Sequence, residues 1–231
     1  MYPMYKTTFY NVVNPLFEAF LNFVYPPVCL ICNIHLNRGG LVCDVCWDEF
    51  PKIPAANDNG SVMPVRGLTV ISVWQYSEEI QKLIHEMKYF RKRSLAARLG
   101  DRMAAAIDSQ RQWQDFDVIV PVPLYRTRLR ERGYNQSYYL ARAVAERWNK
   151  PVEGNMLKRI RPTVSQSRLS AKERWSNVEN AFRANGSAEI AGRRILLVDD
   201  VCTTGATLGA CAEALLDAGA TSVWGLTAAR A

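Results

Sequence analysis

No apolar run in this chain approaches the roughly 18 residues that a membrane-crossing helix needs, so a helical membrane span is excluded. The opening stretch, "MYPMYKTTFYNVVNPLFEAFLNFVYPP", lacks a charged leader and a small-residue cleavage site, and does not read as a secretory signal. Neither G-x-x-x-x-G-K-[ST] nor G-x-G-x-x-G occurs, which removes P-loop and dinucleotide-binding readings. Internal repeats and low-complexity tracts are absent. Histidine is scarce, with two residues. His85 falls on a helical pattern and reads as structural, and His35 reads as a solvent-facing loop residue, so no general base is assignable and the catalytic residues stay unknown. The six cysteines do not form a disulfide framework, because four of them fall into two C-x-x-C pairs. A reducing, cytoplasmic setting and a metal site are therefore the expectation.

What is present divides into two modules. The first, residues 1–50, combines a short helix expected from Asn14-Pro15 to about Val24 with "CLIC" and "CDVC". Cys29, Cys32, Cys43 and Cys46 can close a tetrahedron of thiolates around Zn2+, a soft donor set with no open position and hence a structural one. The "NRGG" at 37–40 lets the chain double back between the pairs. Residues 51–65, rich in Pro, Asn, Asp and Gly, read as a linker. From 66 to 231, apolar strand patterns ("LTVISVWQY", "DVIVPVP", "RRILLVDD", "SVWGLTAA") alternate with helical ones, and "SAKE" at 170–173 has capping-box spacing. That alternation implies an α/β domain whose mostly parallel sheet is covered by helices on both faces.

In such a sheet ligands bind beyond the carboxyl ends of the strands. The strand "RRILLVDD" is expected to end there, placing Asp199 and Asp200 as acceptors at the mouth of a site. The turn that follows, Thr203, Thr204, Gly205, Ala206 and Thr207, offers backbone N–H groups and hydroxyls to a phosphate at the start of a helix. Acceptors beside an anion cradle suit a sugar phosphate. The net charge of +7 is consistent with an anionic ligand.

"ILLVDDVCTTGAT", residues 195–207, resembles the phosphoribosyl pyrophosphate (PRPP) signature of the type I phosphoribosyltransferases. The resemblance implies that fold, with Asp199 and Asp200 on the ribose hydroxyls, Thr203 to Thr207 on the 5′-phosphate and Mg2+ accompanying PRPP. By weaker analogy it makes Pro123, Leu124, Tyr125 and Arg126 a pyrophosphate loop, with the arginines beyond it as further candidates for pyrophosphate contact. Taken with "KLIHEMKYFRKRSLAARLG", "VPVPLYRTRLRERGYNQS", "RPTVSQSRLSAKERWSNVENAF" and the paired C-x-x-C, the chain is similar to the ComF family of competence proteins, from Cys29 almost to the end.

That similarity implies a role in DNA uptake during natural transformation, alongside other competence proteins such as a helicase. The alternative is an active phosphoribosyltransferase of nucleotide metabolism, moving ribose 5-phosphate from PRPP to a nitrogen acceptor that the sequence does not mark. The arginines at 126, 128, 130 and 132 share one side if the segment is extended, or form two i,i+4 pairs if it is helical. Interleaved with Tyr125, Tyr134, Tyr138 and Tyr139, they offer single-stranded DNA phosphates to neutralise and bases to stack on. "KYFRKR" and "LKRIRP" add positive charge whose position the sequence leaves open.

Overall fold

A computed structural model describes residues 26–36, 40–53, 62–65, 68–89, 92–108, 115–163 and 171–231. The helix expected over 14–24, residues 37–39 of the expected turn and Ser170 of the capping box lie outside them. The chain forms two compact units, Met1–Glu49 and Phe50–Ala231.

The small unit is a hairpin followed by one helix. Val28 bridges His35, with the Cys29 N–H donating to Ile34 O at 2.8 Å, and Asn33 takes the tight left-handed position at φ 60°. Helix α1, Asp44–Glu49, follows and buries Cys46 and Trp47.

The large unit is built on a five-stranded sheet with strand order β1-β2-β7-β6-β3. Its strands are β1 (Val62–Val65), β2 (Leu68–Gln75), β3 (Val118–Pro121), β6 (Arg194–Cys202) and β7 (Ser222–Arg230). Strands β2, β7, β6 and β3 run parallel, and β1 is antiparallel to β2. The stretch expected to be a linker, 51–65, thus ends in an edge strand. Proline lacks the N–H that a central strand must donate. Pro64 and Pro121 accordingly fall on β1 and β3, the two edges of the sheet.

Along β6, Ile195, Leu196, Leu197 and Val198 are all buried, as expected for a strand covered on both faces. On one face Ile195 and Leu197 join Val118, Val120 and the Leu208, Cys211 and Leu215 of one helix, α8 (Ala206–Asp217). The other face carries α3 (Arg93–Ala106) and α5 (Gln136–Trp148), which bury Leu95, Leu99 and Met103 beside Leu140 and Val144. Helix α2 (Glu78–Tyr89) starts where the Ser77 hydroxyl accepts from the Ile80 N–H. The short α4 (Arg126–Arg132) closes on Gly133 at φ 75°. Apart from the main sheet, β4 (Leu157–Arg159) and β5 (Phe182–Ala184) form an antiparallel pair, with α6 (Ala171–Val178) between them in sequence and α7 (Ser187–Ile190) just after. Three-residue strands carry too little periodicity to be read beforehand.

Helices α3 and α5 pack closely at Gly100. A Cβ there would stand 2.6 Å from Leu140 O, a backbone atom that cannot swing aside. Gly100→Ala gains about 1 kcal/mol of helix propensity, yet overpacking costs about 1–3 kcal/mol. The variant should therefore unfold at a lower urea midpoint than the wild type; an unchanged or higher midpoint would show that the two helices can separate freely.

Candidate functional site

The site lies where β3 stops. Its last ladder partner is Pro121 opposite Val198, and one further bond, Val122 N–H to Val198 O at 3.0 Å, ends the pairing. The next residues of β6, Asp199 and Asp200, therefore stand over a crevice from which the neighbouring strand has departed. The sequence places the strand end at Asp200, whereas β6 continues to Cys202, held by β7 on its other side. The acids are thus carried on regular sheet, which holds them more firmly than a loop.

Two helices converge on these carboxylates. Helix α5 begins with the Asn135 side chain accepting from the Ser137 N–H at 3.1 Å and donating to Val122 O at 3.0 Å, which ties its N-terminus to the end of β3. Its first turn then reaches the acids. The Ser137 hydroxyl donates to Asp199 Oδ1 at 2.7 Å, and Gln136 Nε2 donates to Asp200 Oδ2 at 3.2 Å. From the last turn of α2, the Lys88 ammonium pairs with Asp200 Oδ2 at 2.9 Å. That helix end is itself latched, because the buried Tyr134 hydroxyl donates to Met87 O. Burial, together with the charge of Asp200, pushes the Asp199 carboxyl up to about 7.

A cavity of about 220 Å3 opens on the acids. Pro123, Leu124 and Tyr125 line it with Thr127, Arg128 and Arg132, while Thr207 contributes from the start of α8. Segment 126–132 is helical, and this decides which arginines matter. Arg128 and Arg132, one turn apart, face the cavity; Arg126, expected on the pyrophosphate loop, is exposed and is not among its lining residues. Gly205 holds φ 74° as the cap of α8, a value that favours glycine. The buried Ala206 spends its N–H on the Thr204 hydroxyl at 3.4 Å. Thr203, Thr204 and Thr207 line an adjoining cleft of about 1080 Å3, shared with Lys88, Arg128, Arg132, Asp199 and Asp200.

Several lining residues escaped sequence reading. Lys88 and Arg159 belong to the two basic segments without an assigned place, and both line the cavity. Arg159, on β4, lies with its guanidinium 5.2 Å from the Phe182 ring centre, and its Nε is buried without a partner. Gln136 is also buried, and its Oε1 has no hydrogen-bond partner. Of the tyrosines expected to form a stacking surface, Tyr125 lines the cavity and Tyr138 is exposed, whereas Tyr134 is not available. Tyr134 is buried and meets Tyr139 edge-on at 5.4 Å, so its face is unavailable. His85, expected to be structural, is exposed on α2, stacks at 4.6 Å on Tyr89 and lines the larger cleft.

In the small unit the sulfurs of Cys29, Cys32, Cys43 and Cys46 all lie within 4.8 Å of one another, and His35 stands outside the group. Tetrahedral zinc with Zn–S near 2.3 Å implies S···S edges of roughly 3.8 Å; Cys32 and Cys43 are 3.7 Å apart. Burial would raise the Cys29 thiol, but N–H donors from Cys32, Cys43 and Ile31 hold it down to about 6. Burial and the neighbouring thiols push Cys46 up. Four thiolates can coexist here only around a cation, and the group fits a structural Zn2+.

A family model described as a phosphoribosyl transferase domain matches residues 134–228, and one described as a double zinc ribbon domain matches residues 20–57. By class, then, this is a phosphoribosyltransferase fold carrying an N-terminal zinc ribbon. Competence protein F of Haemophilus influenzae is 30% identical over 222 residues, covering 87% of this chain and 96% of that protein. DNA utilization protein YhgH of Salmonella typhimurium is 30% identical over 201 residues, covering 85% and 87% respectively. The chain belongs to the ComF family of competence proteins. Glutamine PRPP amidotransferase from B. subtilis, solved with ADP and GMP, aligns with 57% of this chain and 25% of its own at 25% identity; at a TM-score of 0.39 the likeness carries no weight.

Two outcomes check this site chemistry. The unfolded chain ionises Asp199 near the ordinary carboxyl value of 3.8, well below the folded value of about 7. The folded state therefore holds the extra proton between them, and stability falls as pH rises through that window. Asp199→Asn removes the effect, so its melting temperature should gain on the wild type between pH 5 and pH 8, by on the order of 1–2 kcal/mol in stability; an equal difference at both pH values would contradict the assignment. Zinc should be found at one ion per chain. Because structural zinc contributes on the order of 10 kcal/mol in small modules, chelation should expose the buried Trp47 and shift its emission to the red.

Proposed function

We propose that the crevice binds PRPP, or a closely related sugar phosphate, in a protein that acts in DNA uptake. One observation carries the reading: the acid pair, Thr203, Thr204 and Thr207 of the turn, and Arg128 and Arg132 of α4 line a single cleft. The ribose hydroxyls would donate to Asp199 and Asp200, and Thr203, Thr204 and Thr207 would surround the 5′-phosphate at the start of α8. Gly205 and Ala206 shape that turn from beneath. Pyrophosphate would lie along Pro123, Leu124 and Tyr125, with Arg128 and Arg132, of the arginines expected there, lining the cavity.

Mg2+ belongs to the ligand in this reading. One oxygen of each acid is already engaged, by Ser137 or by Gln136 and Lys88. Among the described residues, the four cysteines are the only group of three or more side chains suited to a metal. Mg2+ on the pyrophosphate supplies charge neutralisation, while the chain orients the sugar and excludes water.

The competence role comes from the relatives, whose names tie them to competence and to DNA utilization. Single-stranded DNA is a second ligand favoured by the larger cleft, where Lys82, Lys88, Arg128, Arg132 and Arg174 share the walls with Tyr76, His85 and Tyr89. Cations beside rings suit a strand's phosphates and bases. The protein would then work with other competence factors, such as a helicase, in the cytoplasm. Transfer of ribose 5-phosphate to an acceptor is the alternative use of the same site.

Calorimetric titration of Mg2+-PRPP into zinc-loaded protein tests the reading. Saturable binding is expected in the wild type and a loss of at least 100-fold in Asp199→Asn/Asp200→Asn, since two charge-assisted hydrogen bonds disappear. A folded wild type that binds no PRPP would overturn it. Pyrophosphate release in the presence of a nitrogen acceptor would mark an enzyme.

A further inference from the structure

Lys88 sets a condition on the ligand that the signature sequence does not contain. Its ammonium lies 2.9 Å from Asp200 Oδ2, on a side chain 22% exposed, and it lines both the cavity and the larger cleft. The backbone beneath it is held, because Tyr134 donates to the carbonyl of the preceding residue, Met87. Only the side chain is therefore free to change partners.

The same carboxylate oxygen accepts from Gln136 Nε2. That bond sets the orientation of the amide and leaves Oε1 of Gln136, a residue that lines the cavity, buried without a donor. A buried acceptor left empty costs free energy and marks a place where a donor belongs. The ammonium thus fills Asp200 while the adjacent acceptor waits.

We propose that Lys88 is the specificity-determining residue of this site, exchanging Asp200 for the anionic end of the ligand when sugar hydroxyls take over the carboxylate. The inference rests on the PRPP reading given above. A hydroxyl that donates to Asp200 Oδ2, with its neighbour reaching Gln136 Oε1, satisfies both acceptors and displaces the ammonium. A displaced ammonium in a crevice also lined by Arg128 and Arg132 adds to a crowd of positive charge and needs an anion at once. A ligand with a pyrophosphate supplies it. Ribose 5-phosphate, whose single phosphate is held by the threonine turn, does not. The ion pair therefore acts against partial ligands, which must break it without replacement.

The experiment compares PRPP and ribose 5-phosphate by calorimetry on full-length, zinc-loaded wild type, Lys88→Met and Lys88→Arg. The wild type should prefer PRPP. In Lys88→Met that preference should fall by about tenfold, the scale of one charged hydrogen bond, with PRPP binding weakened and ribose 5-phosphate binding unchanged or improved. Lys88→Arg should restore the preference. Equal losses for both ligands, or no change in their ratio, would overturn the proposal while leaving the PRPP site standing. If the wild type binds neither sugar, the PRPP reading fails and this inference falls with it. Lys88→Gln replaces the methionine variant should that one lose its cooperative melting transition.

Discussion

Two adjacent carboxylates in a crevice repel each other and lose hydration, and each must be answered by a donor that the fold holds in place. Ser137 and the Asp200 N–H answer Asp199; Gln136 and Lys88 answer Asp200. Those donors come from the first turn of α5 and the last turn of α2, which are far apart in sequence. Much of the large unit can be understood as the means of bringing them together. The β3 strand stops at Pro121 so that the acids face open space, Asn135 binds α5 to the end of that strand, and Tyr134 secures the end of α2. The donor at α5 carries a further advantage, since a helix N-terminus is itself favourable to negative charge.

The zinc ribbon meets the same difficulty, crowded negative charge, by different means. Its sulfurs are gathered within a few ångströms by a hairpin and a six-residue helix, with few buried side chains among the described residues of that unit. N–H donors lower one thiol, but burial and its neighbours resist ionisation of another. Only a cation lets four thiolates share that space, so metal and fold depend on each other there. In the large unit the core is extensive, and neutral donors with one ammonium suffice.

Membership of the ComF family and a phosphoribosyltransferase fold do not by themselves decide what is done at the crevice, because one fold carries many chemistries. The particulars of this chain are in its side chains: Arg128 and Arg132 on one face of α4, Arg159 half-enclosed against Phe182, and an open cleft floored by the acids. On the reading proposed above, these side chains suit an anion that also carries hydroxyls.

The four cysteines, the acid pair and the threonine turn were legible in the sequence because each is local. Their chemistry depends on adjacent acids, C-x-x-C pairs and a five-residue turn, short spacings that survive whatever the rest of the chain does. The alternation of strands and helices was legible too, since burial on both faces leaves unbroken apolar runs such as "ILLV". Contacts between distant segments were not. Lys88 and Gln136 carry no local mark of function, and they reach Asp200 only because α2 and α5 converge on it, while Arg159 lines the same cavity from β4. The same holds for the arginine segment: its sequence allowed either an extended or a helical form, and helical phase selected Arg128 and Arg132 over Arg126. Tyr134 looked available for stacking until packing consumed it as a latch. Short-range chemistry is written in residue order. Which charges face one another is decided by where the sheet parts and how the helices close over it.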